Sequence, residues 1–153
     1  LNKKLATATL CAALLMGVAA PAGAAEQAPR PGPGVYATNG DFVHVSSTKP
    51  ATASGHGWWF KVKGPGTKAK VTIWLQTRKK GSKTWHTVAK GSKTVKPSKK
   101  LNKAPSTWRA NARKKCANRK PREWRSVIDT DIIGVADSPE KAVTKVRRVK
   151  CGV

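Results

Sequence analysis

Residues 69–78 alternate strictly: Val71, Ile73 and Leu75 fall on one side, and Lys70, Thr72, Trp74, Gln76 and Arg78 on the other. A period of two places successive side chains on opposite faces of a strand, so this run predicts a strand with one core face and one wet face. Further β-rich runs occupy 41–46, 58–63, 84–90, 108–116, 124–135 and 144–151. Turn signals separate them, among them Asn39-Gly40, Gly64-Pro65-Gly66 and Lys80-Gly81-Ser82-Lys83. The three central runs read as one antiparallel meander. Residues 49–57 and 91–107 lack apolar periodicity and read as loops, the second long and basic. Asp137 followed three residues later by Glu140 predicts a single helical turn over 140–143. No segment sustains a 3.6-residue period. Six to seven short antiparallel strands, each with one apolar face, therefore predict an all-β sandwich.

The N-terminus follows a different pattern. Lys3 and Lys4 precede an apolar run over 10–20, which leads into the small residues Pro21, Ala22, Gly23, Ala24 and Ala25. This layout predicts a secretory signal peptide over 1–25, of the Gram-positive type. Leu1 in place of Met reads as a non-AUG start, and Cys11 is discarded with the signal. The apolar run is too short to span a bilayer, which takes ~20 apolar residues, so no transmembrane segment is expected after processing. Residues 26–40 begin with a Pro- and Gly-rich stretch and read as a flexible arm, leaving 41–153 as the folded domain. Export places Cys116 and Cys151 in an oxidising compartment, where only one intramolecular pairing is open to them.

Charge changes the picture more than composition does. The chain carries a formal net charge of +24, and loss of Lys3 and Lys4 still leaves 29 Lys and Arg against 7 Asp and Glu. From Phe42 to Arg122 there is no acidic residue in 81 positions, while 22 Lys and Arg accumulate. Self-repulsion on this scale points to a polyanionic partner. Catalytic chemistry, by contrast, has little to stand on. His44, His56 and His86 sit in separate segments with no carboxylate at an informative spacing, and no nucleophile elbow or phosphate loop occurs. Asp129 and Asp131 share a strand face and offer a paired-carboxylate site, but Arg125 lies on that face too, and an internal ion-pair cluster is the expected outcome. Neither a metal site nor a cofactor is expected.

The binding candidates are Trp59, Lys61 and Lys63 on one strand face and Lys70, Trp74 and Arg78 on the next. Paired as a hairpin with these faces together, they make a stripe of indoles flanked by cations, suited to stacking and to phosphate, sulfate or carboxylate. The competing arrangement packs Trp59 and Trp74 beneath the N-terminal segment or the long loop. Trp58, Trp85, Trp108 and Trp124 are expected in or near the core. Lys79 and Lys80 at a hairpin tip, with Lys83, and Arg113, Lys114 and Lys115 beside Cys116 add charge, and a Cys116–Cys151 bond brings the basic segment around Arg147, Arg148 and Lys150 to them.

The stretch from Val71 to Trp85, an apolar-x-apolar-x-Leu-Gln strand with a Gly-Ser turn and a following Trp, resembles immunoglobulin-like or fibronectin-like modules of exported bacterial proteins. The whole layout is similar to small secreted actinobacterial proteins. The resemblance implies an immunoglobulin-like sandwich. Both cysteines fall late in the chain, so the bridge and Trp arrangement of antibody domains do not carry over, and a fold does not dictate a function. The expected function is that of a secreted, non-enzymatic, monomeric cationic binding protein. Its expected partners are anionic polymers or surfaces, namely teichoic acid, anionic lipid headgroups or extracellular nucleic acid. The alternatives are an antimicrobial or toxin-like effector delivered by the same attraction, and a small exported hydrolase or nuclease using Asp129 and Asp131.

Overall fold

The computed structural model describes residues 34–136 and 141–153. The expected signal peptide, residues 26–33 of the expected arm and the Asp137/Glu140 helix start lie outside them. Nine strands occur among the described residues: β1 (Val35–Gly40), β2 (His44–Val45), β3 (Thr52–Lys63), β4 (Ala69–Arg78), β5 (His86–Val95), β6 (Ala110–Lys115), β7 (Asn118–Ile132), β8 (Ala142–Val143) and β9 (Arg147–Gly152). They form two antiparallel sheets packed face to face, the all-β sandwich that the alternation predicts. In the first sheet β3 is central, pairing with β1, β2 and β6. In the second, β4 lies between β5 and β7, and β7 carries β8 and β9 on its far side.

The core sits between the sheets. Val71, Ile73 and Leu75 of β4 are fully buried against Ala53 and Trp59 of β3 and Trp124 and Ile128 of β7. Burying side chains of this size removes apolar surface from water at roughly 25 cal/mol per Å², and it is the main driving term for the fold. Both core indoles are also satisfied as donors: Trp59 Nε1 donates to the Val95 carbonyl at 3.1 Å and Trp124 Nε1 to the Cys151 carbonyl at 3.2 Å. The Cys116–Cys151 disulfide ties the residue that follows β6 to β9, and so staples the first sheet to the second at one end.

Several segments differ from the sequence-based expectation. The central meander is only half present: β4 and β5 form a hairpin, but β3 pairs with neither and belongs to the opposite sheet. Apolar inner faces on β3 and β4 bury more surface packed face to face than side by side. Part of the expected 49–57 loop is strand, because Thr52 to Gly57 pair with Lys115 to Ala110 of β6. Its glycines, which read as breakers, make room for the other sheet: a Cβ on Gly55 would strike Ser126 Oγ, and one on Gly57 would lie 2.8 Å from Ile128. Residues 35–40 of the expected arm are β1, held along β3 from Lys63 to Gly57. The expected 91–107 loop starts later, since β5 runs on to Val95; Gly91 there faces the Asn111 backbone, where a Cβ has no space. Ala142 and Val143 pair with Ile128 and Val127 rather than forming a helical turn. Finally, β7 starts at Asn118, before the apolar run from Trp124, because its basic first residues pair with β9 beside the disulfide.

Candidate functional site

The two expected halves of the binding stripe are not brought together. Trp59 is fully buried in the core, and its neighbour Trp58 points the other way, onto the outer face of the first sheet. There the segment after β5 folds over it: Trp58 Nε1 donates to the Leu101 carbonyl at 3.0 Å, and Ser98 N to the Trp59 carbonyl at 2.8 Å. Covering by the long loop thus occurs, but at Trp58. Lys61 is half-buried and donates to the Gly66 carbonyl at 2.9 Å, while Lys63 is exposed beside Val35.

The β4 half does stand on an outer face. Lys70 is exposed between Thr94 and Asp131, and half-buried Trp74 lies between Lys90 and Val127. The ammonium groups of Lys90 and Lys141 lie 5.3 Å and 5.8 Å from the Trp74 ring centre. Arg78 donates to Glu123 Oε2 at 2.7 Å, and its guanidinium and that of Arg125 lie 4.4 Å and 4.3 Å from the Trp85 ring centre. Partial burial, and then the neighbouring Arg78, push the Arg125 guanidinium below its usual range. Trp85 is therefore half-buried among arginines rather than part of the core. Trp108 is half-buried as well, and Trp124 is in the core as expected.

The strongest concentration of charge is at the disulfide end. Arg78 pairs with Glu123, so the β4–β5 turn with Lys79, Lys80 and Lys83 lies at the end of the sandwich where β7 begins. Strand β6 finishes there with Arg113, Lys114 and Lys115, the first residues of β7 bring Arg119, Lys120 and Arg122, and Lys150 pairs with Pro121. All of these except Arg122 are exposed, and none of them forms an ion pair among the described residues. Glu123, the acid nearest to them along β7, is held by Arg78. Two hollows open beside the disulfide and share Cys116 and Ala117. One, of about 700 Å³, is lined by Thr77, His86, Val88, Lys114, Lys115 and Arg122; the other, of about 430 Å³, by Val45, Ser46, Arg119 and Lys150 among others.

At Asp129 the expected ion pairing with a nearby cation occurs, through Lys141 rather than Arg125. Asp129 lies 3.5 Å from Lys141 Nζ, and Arg125 donates to Gln76 instead, at 2.8 Å. A different cluster escaped sequence reasoning altogether. Asp41 Oδ2 lies 2.6 Å from His56 Nδ1, Asp41 Oδ1 accepts from the His56 backbone N–H at 2.9 Å, and the His44 ring centre is 5.3 Å from that of His56. Asp41 is 15 residues from His56, and nothing in the sequence announces the β2–β3 register that brings them together. No protein-family model, curated protein or solved structure matches this chain.

Proposed function

We propose that this is an exported, non-enzymatic binding protein that holds anionic polymers or anionic envelope surfaces on the cationic disulfide end of its sandwich. The observation that carries this reading is the convergence there of cations from the β4–β5 turn, the end of β6, the start of β7 and β9, with Glu123, the nearest described acid along β7, already held by Arg78. Exposed cations that form no ion pair among the described residues are available to neutralise phosphate, sulfate or carboxylate groups. The hollows beside Cys116 give such groups a recess with low-dielectric walls, where the field is focused. Lysine predominates over arginine in the cluster, which favours point-charge attraction over planar bidentate recognition and hence tolerance of polymer sequence. Teichoic acid, anionic lipid headgroups and nucleic acid all present the required charge density.

The test is retention on heparin and on duplex DNA as salt is raised, for the wild type and for two fourfold variants. One variant replaces Lys114, Lys115, Arg119 and Lys120 by Gln; the other replaces Lys63, Lys68, Lys93 and Lys96. The first should elute at distinctly lower salt, and its log K against log salt slope on DNA should shrink by about 0.9 per phosphate contact removed. Equal losses in the two variants would mean an evenly cationic coat, and elution of the wild type below physiological salt would remove the polyanion reading itself.

A further inference from the structure

We propose that Asp41, His44 and His56 form a binding site for one late first-row transition-metal dication, best matched by Zn²⁺. His44 pairs with Ser54, so His56, two residues further along β3, lies diagonally across on the same outer face of the first sheet. The two rings are tilted by 32° to each other. Asp41, in the connection between β1 and β2, is fixed by three contacts with a single residue: its N–H donates to the His56 carbonyl at 3.3 Å, Oδ1 accepts from the His56 N–H, and Oδ2 faces the His56 ring. Two of the three donors are thus ordered before any ion arrives, and a preorganised ligand set binds without the entropic cost of assembling it.

One ligand atom from each of the three side chains lies within 4.8 Å of the others. Bonds of about 2.0–2.2 Å in a tetrahedral site place ligand atoms roughly 3.3–3.5 Å apart, so Asp41 Oδ2 and His56 Nδ1, now 2.6 Å apart, open by roughly 0.7–0.9 Å, and the remaining approach takes up to about 1.5 Å of movement. His44 supplies it: the ring is exposed, and its polar contact is a long one, from Nδ1 to the Phe42 carbonyl at 3.4 Å. The ion takes the place of the hydrogen between Asp41 Oδ2 and His56 Nδ1, and the ring binds as a neutral imidazole with its N–H on Nε2. Two imidazole nitrogens and one carboxylate oxygen suit Zn²⁺, Ni²⁺ or Cu²⁺, whereas Ca²⁺ asks for six or more oxygens. The exposed side leaves a fourth position open to water. One group opposes the ion: Arg109 Nη1 stands 3.8 Å from Asp41 Oδ2.

The experiment is a Zn²⁺ titration of the full chain in phosphate-free buffer, by calorimetry and by competition with a chromophoric chelator. One ion should bind per chain. His44→Ala removes an exposed ring without touching the Asp41–His56 contacts, and should weaken binding at least tenfold. His86→Ala, in the hollow at the disulfide end, should leave binding unchanged. Arg109→Ala should tighten it by roughly tenfold, the scale of one charge facing a dication a few ångströms away in a wet site. With Cu²⁺ as the probe, electron paramagnetic resonance should show two coordinating imidazole nitrogens in the wild type and one in His44→Ala. Absence of binding, binding indifferent to His44→Ala, or binding lost in His86→Ala overturns the proposal.

Discussion

The disulfide end and the Asp41 corner handle charge in opposite ways. At the disulfide end, cations from four separate parts of the chain stand together, and the nearest described acid along β7, Glu123, is bound to Arg78. At the corner a single carboxylate serves the His56 backbone, the His56 ring and Arg109. The first region acts through a summed field that reaches about a Debye length, ~8 Å at physiological salt, and needs no exact geometry. The second acts through contacts of 2.6–3.8 Å and depends on geometry entirely. In a chain this basic, carboxylates are scarce, and three of the four described acidic side chains are used locally: Asp41 on His56, Glu123 on Arg78, Asp129 on Lys141. Among the described residues no ion pair neutralises the exposed cations of this end, so their repulsion is held in check by covalent and backbone bonds.

The largest expected effect tests that restraint. Replacing Cys116 and Cys151 together by Ser should lower stability by roughly 3.8 kcal/mol, the chain-entropy value for a 35-residue separation. Urea denaturation measures it. A loss confined to a few tenths of a kcal/mol would mean that the pairing of β7 with β9 already holds the cationic end closed, and that the staple is redundant.

The two regions were unequally legible in the sequence. The inner face of β4, with Val71, Ile73 and Leu75, follows from period two alone, and the disulfide from the count of cysteines together with the expectation of export. Runs such as Arg113-Lys114-Lys115 are visible as charge, and the expectation that a disulfide gathers them with Lys150 holds. Their meeting with Lys79 and Lys80 depends on which strand ends coincide, which is a matter of register. Trp58 and Trp59 show the limit of periodicity most clearly. Alternation says that they face opposite ways, but it does not say which way is in; that is decided by the small Ala53, Gly55 and Gly57 on the Trp59 side, which let the second sheet approach. The Asp41 corner was invisible because it joins the short 41–46 run to the first half of β3, Thr52 to Gly57, whose glycines and lack of apolar periodicity read as a loop.

A pair of variants should separate the regions in both directions. Asp41→Ala leaves the His56 N–H and ring without their acceptor and should cost about 1–3 kcal/mol in chemical denaturation, while heparin elution stays where it was. The fourfold Gln variant of Lys114, Lys115, Arg119 and Lys120 should do the reverse: much earlier elution, with stability unchanged or raised by up to about 1 kcal/mol as repulsion is relieved. If Asp41→Ala shifts elution as far as the Gln variant does, the corner is part of the polyanion surface and the contrast fails.

The smallest effect belongs to Ser126, which lies in neither region and calibrates both. Its Oγ is fully buried between the sheets, opposite Gly55, and has no hydrogen-bond partner among the described residues. A hydroxyl in that position loses its water and gains nothing in return. Ser126→Ala should therefore be neutral or stabilising by up to about 1 kcal/mol, the opposite sign to Asp41→Ala, although both replace a polar side chain in the same domain by a methyl group. The sign is set by partners: three groups depend on the Asp41 carboxylate, and none on the Ser126 hydroxyl. A destabilised Ser126→Ala protein, measured in the same urea series, would mean that the hydroxyl fills space the methyl cannot, and that packing against Gly55 outweighs hydrogen bonding at the centre of the sandwich.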